Sequence, residues 1–560
     1  MKIIKGIPPP QPNNLWVGVD SEWFGLNENQ MHRPLSGRFG CLTISTDYDT
    51  VYYIDNPNEV EPALQAIQDC VWCIHKAGFD VVQLRRHASI PPRKKLWDTM
   101  LIEKVLWNGY YDKFAADDLA RRYLNIYMDK SLQKSFSKSD SMSDDQINYA
   151  CTDAMLELQI ALEQKKSVSA NDFKIWSEID RPTLWAILDF QGFAINVDAW
   201  TKAAENNLSR QQILKEQIPF NPNSSSQVKE WFSKHKIKLE SSDVDHLEEF
   251  IESKKSPPEL VEIARMILDS RMYGKRASTY GLDFITDFIE YDNGVPVIVS
   301  EFQPNWAETG RFSSSNPNMQ NIPVRDTLEF RDCFIARPGN KLVIADYSAQ
   351  EPRVTAYLTQ DKKLKEIFDS GKDIYIEMAR EIFGETITKS DPRRKQMKSV
   401  ILGAMYGLSK WGLASKEEME VEEADRLLTK TFTLFPDIKT WMKKQQKNKT
   451  CVHTIAGRKL WVNPYSSQVE RNVLNSPIQG SSADMMKKAI IMLHQTWDFG
   501  CPFGIVAPVH DELVLDVPES LTKDVAFRVN DVMVQAAETM CPGIPFKADV
   551  IIADRWSEKS

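Results

Sequence analysis

No stretch of this chain is apolar for long enough to cross a membrane, and the N-terminal residues MKIIKGIPPPQPNN lack the apolar core of a signal peptide. An Arg-rich, acid-poor leader is missing too, so organelle import is not expected and the chain reads as cytoplasmic. The eight cysteines are scattered, and the one close pair, Cys70 and Cys73, has no second pair to complete a zinc site. They are expected to be reduced, buried thiols. No internal repeat and no long low-complexity tract is present. An excess of positive charge is also lacking: 69 Lys and Arg stand against 78 Asp and Glu, for a net charge of −9. That total describes the whole surface, whereas a nucleic acid is met by local clusters. Four such clusters occur: Arg93-Lys94-Lys95, Arg121-Arg122, Arg393-Arg394-Lys395 with Lys398, and Lys487-Lys488.

What is present begins with length. A chain of 560 residues exceeds one core, so two to four domains are expected. The first 165 residues mix apolar strands with helical segments. Residues from about 166 to 300 read mostly as helix, and α/β character returns after 300, interrupted by a helical block at 361–450. The fold class is therefore multidomain α/β. The most informative stretch is Lys341–Arg353, KLVIADYSAQEPR, where an apolar strand ends in Asp346 and Glu351 comes five residues later. Far downstream, IVAPVHDELVLDV places Asp511 and Glu512 between two apolar runs, the pattern of a hairpin with acids at its tip. Two strands bringing carboxylates to one point form the protein half of a two-metal phosphoryl-transfer site.

A second set of acids lies near the N-terminus. In VGVDSE, Asp20 and Glu22 sit at i and i+2 of a strand and share a face. HKAGFD supplies Asp80 after another strand, and YACTD places Tyr149 and Asp153 one helical turn apart. Four carboxylates can hold two divalent ions that activate a water and stabilise a leaving 3′-oxygen, with the tyrosine hydroxyl orienting that water. Between the two C-terminal acid strands lies DPRRKQMKSVILGAMYG, read as a helix with Asp391 as N-cap and Gly407 at its end. Arg394, Lys398, Leu402 and Tyr406 form one stripe on it, cations first and apolar positions after, which suits a nucleoside triphosphate lying along the helix.

The N-terminal motifs resemble the proofreading 3′→5′ exonuclease family whose third acidic motif contains a tyrosine. Lys76 departs from it, standing where family members often carry Asn. TGRFSSSNPNMQNIP, DYSAQEPR, RRKQMKSVILGAMYG, RNVLNSPIQGSSAD and VHDE, in that order, resemble the family A DNA polymerases. The resemblance implies a ribonuclease H-like exonuclease domain joined to a right-hand polymerase of palm, thumb and fingers, with no separate 5′-nuclease domain. Expected boundaries are 1–165 for the exonuclease, 166–200 for a helical connector and the start of the palm, and 201–300 for the thumb. Residues 301–360 and 451–560 would complete the palm, and 361–450 would be the fingers. Two Mg2+ per active site, for which Mn2+ can substitute, would bind Asp346, Asp511 and the Tyr347 carbonyl, with Glu512 in support. At the exonuclease, Asp20, Glu22, Asp80 and Asp153 would be the ligands.

By the same resemblance, Lys398 stabilises charge on the triphosphate, Arg394 grips its tail, Glu351 excludes a ribose 2′-hydroxyl and Tyr406 shapes the base-pair pocket. Arg311, Arg325, Arg471, Asn475, Gln479 and His510 match positions that contact primer or template. Leu402 replaces the usual Phe or Tyr, Tyr375 stands where a triphosphate-contacting His is frequent, and Ala349-Gln350 and Pro352 depart from the usual first acidic block. The implied partners are primer–template DNA and dNTPs for a monomeric enzyme, with helicase and single-strand-binding partners unidentified. The expected function is DNA-templated synthesis with proofreading, replicative and phage-encoded. A single-subunit RNA polymerase and a catalytically retired DNA-binding protein are the competing readings.

Overall fold

The first layer of the molecule is a six-stranded sheet built from β1 (Lys2–Lys5), β2 (Trp16–Phe24), β3 (Arg38–Ser45), β4 (Thr50–Ile54), β5 (Val71–Ile74) and β6 (Leu96–Asp98), in the order β1-β4-β3-β2-β5-β6. Strand β2 runs antiparallel to β3 and parallel to β5. Helices α1 (Ala77–Leu84), α2 (Thr99–Trp107) and α3 (Asp144–Ser167) accompany it. The computed structural model describes residues 1–25, 37–138, 141–253, 255–323, 329–385 and 387–559. Helix α3 starts at a capping box in which Ser143 and Gln146 each satisfy the other's backbone N–H. Asp144 and Asp145 in its first turn, and Lys165 and Lys166 in its last, complement the helix dipole. It lies directly against β2. A Cβ on Gly18 would come within 1.8 Å of the Ala154 carbonyl, so only glycine permits this approach.

Two compact units partition the chain: Met1–Gln191 with Ser300–Gln320 and Gly339–Ile552, and Gly192–Val299 with Asn321–Pro338 and Ala553–Ser560. In the second unit, α4 (Val197–Gln217) and α5 (Pro258–Thr279) pack along each other beside a sheet of β7 (Phe193–Ala194), β8 (Ile289–Asp292) and β9 (Val295–Ile298). Its anchor is Trp200, fully buried and stacked on Phe284 at 4.3 Å between ring centroids.

The first unit resumes with the hairpin of β10 (Glu301–Gln303) and β11 (Ser313–Ser315), then β12 (Asn340–Tyr347). Helices α6 (Gln350–Thr359), α7 (Ile374–Phe383) and α8 (Pro392–Met405) come next, with the hairpin of β13 (Cys451–His453) and β14 (Lys459–Trp461) after them. Helix α9 (Val469–Gln495), β15 (Ile505–Val509), β16 (Glu512–Pro518), helix α10 (Thr522–Met540) and β17 (Ala548–Ala553) complete it. The central sheet runs β15-β16-β12-β17. Leu342, Val343, Ile344 and Ala345 of β12 are fully buried. Each of the three larger side chains contributes about 1.5–3 kcal/mol through burial. The multidomain α/β organisation expected from sequence is what is found. All eight cysteines are free thiols, most of them buried. Among the described residues no helix is long and apolar enough to cross a membrane.

Within the first unit, a buried ionic cluster ties the segment after α3 to the central sheet's helices. Asp180 accepts from Arg458 Nη1 and Nη2, both at 2.7 Å, from Lys487 Nζ at 3.1 Å and from Asn305 Nδ2 at 3.2 Å. Arg458 Nε also donates to Asp484 at 2.9 Å, and Thr454 donates to the same carboxylate at 2.8 Å. These four charged side chains are at most 1% exposed. Burial alone would push the Asp180 carboxyl up, but Arg458 and Lys487 outweigh it and hold it below its usual range. Removing one member leaves an uncompensated charge in a dry interior. Arg458→Met is therefore expected to lower stability by about 3–5 kcal/mol, read from denaturant unfolding of the full chain. A loss under about 1 kcal/mol would show that the cluster is not the tie described.

Candidate active sites

The N-terminal acids gather where β2, α1 and α3 meet. Asp20 and Glu22 project from β2, Asp80 from the first turn of α1, and Tyr149 and Asp153 from α3. Ser21 locks β2 to α1: its N–H and hydroxyl both donate to Asp80 Oδ1, at 3.0 and 2.6 Å. The Tyr149 hydroxyl hydrogen-bonds Asp153, as one-turn spacing allows. A fifth acid, Glu157, stands one further turn along α3, buried, and accepts from the His75 backbone N–H. Sequence reasoning missed it, although its spacing from Asp153 is the signal that could find it.

Burial, then the neighbouring carboxylates, pushes Asp20 and Glu22 well above the ordinary carboxylate range. Burial raises Asp80 and Asp153 to about 7, against hydrogen bonds from Ser21 and Tyr149 that pull the other way. Among the described residues, Asp20 Oδ2 and Glu157 Oε2 are buried with no hydrogen-bond partner. An oxygen-rich, buried set with an orphaned acceptor has the chemistry of a divalent-cation site. Among the described residues, no three His, Cys, Asp or Glu side chains are already drawn into a finished metal-holding group. Like charges without a counter-ion favour separation or protonation.

Asp346, Glu351 and Asp511 line a cleft of about 700 Å³ whose walls also include Tyr375, Arg394 and Lys398, while Glu512 is buried outside that lining. Antiparallel pairing sets Asp346 opposite Glu512, and the Tyr347 N–H donates to the Asp511 carbonyl at 3.2 Å. Asp511 occupies the β15–β16 turn next to His510, whose backbone is left-handed (φ 59°) and whose side chain is exposed. The Tyr347 ring points into the core, its hydroxyl donating to the Met533 carbonyl at 2.7 Å.

Asp391 caps α8 as expected, accepting from the Arg393 N–H at 2.9 Å. Arg394 does not stand open on the cleft wall: its Nε and Nη2 both donate to Asp373 Oδ2, at 3.0 and 2.7 Å. The other Asp373 oxygen caps α7, accepting from the Tyr375 and Ile376 N–H groups at 2.9 and 3.2 Å. Sequence reasoning missed Asp373; its N-cap position is legible, but its partner lies 21 residues away. Tyr375 is buried, its ring centroid 5.4 Å from the Arg394 guanidinium, and burial raises its hydroxyl pKa. Lys398 is exposed and Leu402 half-buried.

Glu351 is held from two sides. Arg311 Nη2 donates to it at 2.6 Å, and the Tyr406 hydroxyl donates to its other oxygen. Tyr406 is the C-cap of α8 rather than its last helical residue, and also meets Gln479. Arg471, Asn475 and Gln479 share one stripe of α9 at four-residue spacing, outside the cleft lining. Arg471 is exposed and donates to Gln468 at 3.3 Å, while Asn475 Oδ1 is buried without a partner among the described residues. Arg325 lies outside the described residues.

Asp80 and Asp153 titrate near 7 here against about 4 when unfolded. At pH 6 they hold protons that must leave before a cation binds, so affinity should fall as pH drops below about 7. Titration calorimetry with Mg2+ in buffers of different ionisation enthalpy should show proton release at about pH 6.5. The Asp80→Asn/Asp153→Asn variant should release fewer protons per ion bound, Asp20 and Glu22 supplying the remainder. Unchanged release in the variant would contradict the assignment.

Known protein families match two successive stretches of the chain. Residues 12–168 match the 3′-5′ exonuclease family, and residues 196–558 match DNA polymerase family A. The DNA polymerase I of Chloroflexus aurantiacus is 29% identical over 444 residues, covering 74% of this chain and 46% of that protein. The thermostable DNA polymerase I of Thermus filiformis is 35% identical over 311 residues, covering 53% and 36%. The chain thus spans about half or less of these relatives' length. For the DNA polymerase I of Aquifex aeolicus the shares are 91% and 92%, at 28% identity. The POL domain of Pol1 from M. smegmatis, solved with DNA primer-template and dNTP, has the same fold, with a TM-score of 0.82 at 22% identity over 99% of both chains. With the polymerase match covering well over half of its length, this chain belongs to DNA polymerase family A.

Proposed function

We propose that this chain is a DNA-templated DNA polymerase with a 3′→5′ proofreading exonuclease. The observation that carries the reading is the placement of Asp346 and Asp511 by one sheet register, in a cleft that is also lined by Arg394 and Lys398. Acids and cations lining one cleft suit a triphosphate whose α-phosphate meets Asp346 and Asp511 and whose tail meets Arg394 and Lys398. Held by Asp346, Asp511 and the Tyr347 carbonyl, two Mg2+ ions would supply the Lewis acidity for in-line attack of a primer 3′-hydroxyl.

The chain's own residues carry the rest. Arg394 must exchange the Asp373 carboxylate for the triphosphate tail, so binding breaks an existing ion pair. Lys398 stabilises charge that develops on the leaving pyrophosphate. Glu351, held by Arg311 and Tyr406, is positioned to fill the room a 2′-hydroxyl would need. Arg311 and Gln479 are proposed to meet minor-groove acceptors, where correct pairs look alike, and Arg471, Asn475 and His510 to contact the strands. In the N-terminal cluster, Asp20, Glu22, Asp80 and Asp153 are suited to hold divalent ions and Tyr149 to orient the attacking water.

This reading gives primer–template DNA and dNTPs as the partners, and a replicative role is proposed from the pairing of synthesis with proofreading in one chain. The DNA polymerase I relatives are bacterial proteins, and they do not bear on a phage origin. Asp511→Ala should abolish primer extension while leaving degradation of single strands, and Asp20→Ala should do the reverse. Loss of both activities in either variant would contradict two separate centres. Extension with rNTPs in preference to dNTPs would instead favour an RNA polymerase.

A further inference from the structure

Lys76 joins the helix that carries Asp80 to the β10–β11 hairpin. It immediately precedes α1, which carries Asp80, and its backbone is left-handed (φ 63°). Asp98 supports that turn, accepting from the Lys76 and Ala77 N–H groups at 3.3 and 2.8 Å. The turn aims the Lys76 ammonium at β10, where Nζ lies 2.6 Å from Glu301 Oε1, the two side chains being 30% and 18% exposed. Gln303 donates to the same oxygen at 2.6 Å, and Asn316 donates to the other at 3.4 Å. Strand β10 pairs with β11 through Glu301–Ser315 and Gln303–Ser313. Strand β11 begins two residues after Arg311, which grips Glu351. A line of contacts therefore runs from the Asp80 helix to the Glu351 clamp.

A nucleic-acid phosphate approaching five clustered acids is repelled unless a cation meets it. Lys76 and Lys130 are cations whose charge is felt at His75, beside the cluster. Each is already engaged, Lys130 with Asp117 at 2.5 Å and Lys76 with Glu301. A carboxylate and a phosphate are acceptors of the same kind for an ammonium, and a part-exposed pair is cheap to exchange. We propose that Glu301 stands in for a DNA phosphate on Lys76, so that the ion pair is a latch by which the β10–β11 hairpin restrains entry of a single strand to the N-terminal cluster. Lys76 then binds the strand directly, and an arriving strand releases the hairpin that leads to Arg311. The inference rests on the exonuclease reading above.

The test is degradation of a 5′-labelled single-stranded oligonucleotide by the full chain with Mg2+ over a range of salt. Lys76→Ala should lower kcat/KM about fivefold or more at low salt and flatten the log–log salt slope by about 0.7, the loss of one phosphate contact. Glu301→Gln should instead raise kcat/KM about two- to fivefold, the scale of a part-exposed ion pair, with the slope kept. The double variant should behave as Lys76→Ala alone, and Lys76→Arg should keep the slope. Thermal midpoints of each variant monitor folding. A fall in kcat/KM or no change with Glu301→Gln, or an unchanged slope with Lys76→Ala, would overturn the latch while leaving the exonuclease reading intact. An oligonucleotide left whole by the unmodified chain would overturn both.

Discussion

The antiparallel register between β12 and β16 is the constraint on which the rest of the polymerase cleft depends. Side chains alternate along a strand, so a slip of one residue would turn Asp346 into the core and Ala345 toward the cleft. The slip is opposed by the Tyr347 N–H bond to the Asp511 carbonyl and by the buried Tyr347 ring, whose hydroxyl is fixed on the Met533 carbonyl. The same strand end also fixes the start of the next helix. Ala349 takes a left-handed backbone (φ 52°), α6 begins at Gln350, and Glu351 falls in its first turn, within reach of Arg311 and Tyr406. One register therefore positions both the acid pair and the residue proposed to read the sugar.

The two centres treat their charge differently. In the cleft, Arg394 faces Asp373 and Glu351 faces Arg311, so much of the charge is already paired. In the N-terminal cluster the acids face chiefly one another, and burial raises them. A site rich in unneutralised buried acids favours a cation strongly, whereas a site of preformed ion pairs must exchange partners when a charged ligand arrives.

Much of this is legible in the sequence because the signals are local. An apolar run ending in Asp346, acids at a hairpin tip, Asp391 before Pro392, and Tyr149 one turn from Asp153 each declare an element and the end of it that bears chemistry. Pairing between distant segments is not legible in the same way. Nothing near Arg394 in the sequence announces Asp373, nothing near Lys76 announces Glu301, and the ionic cluster joins Asp180 to Arg458 across 278 residues. Periodicity makes Tyr406 the last position of a helical stripe. The helix stops one residue earlier, and the Tyr406 hydroxyl turns to Glu351, a choice made by a tertiary partner rather than by periodicity.

The central claim is that one chain builds DNA at Asp346 and Asp511 and removes it at the N-terminal cluster. A single measurement addresses it most directly: a 5′-labelled primer on a longer template, incubated with the full chain and Mg2+, with and without dNTPs, and resolved by length. The predicted result is lengthening to the template end with dNTPs and progressive shortening from the 3′ end without them. A primer whose length changes in neither reaction would contradict it.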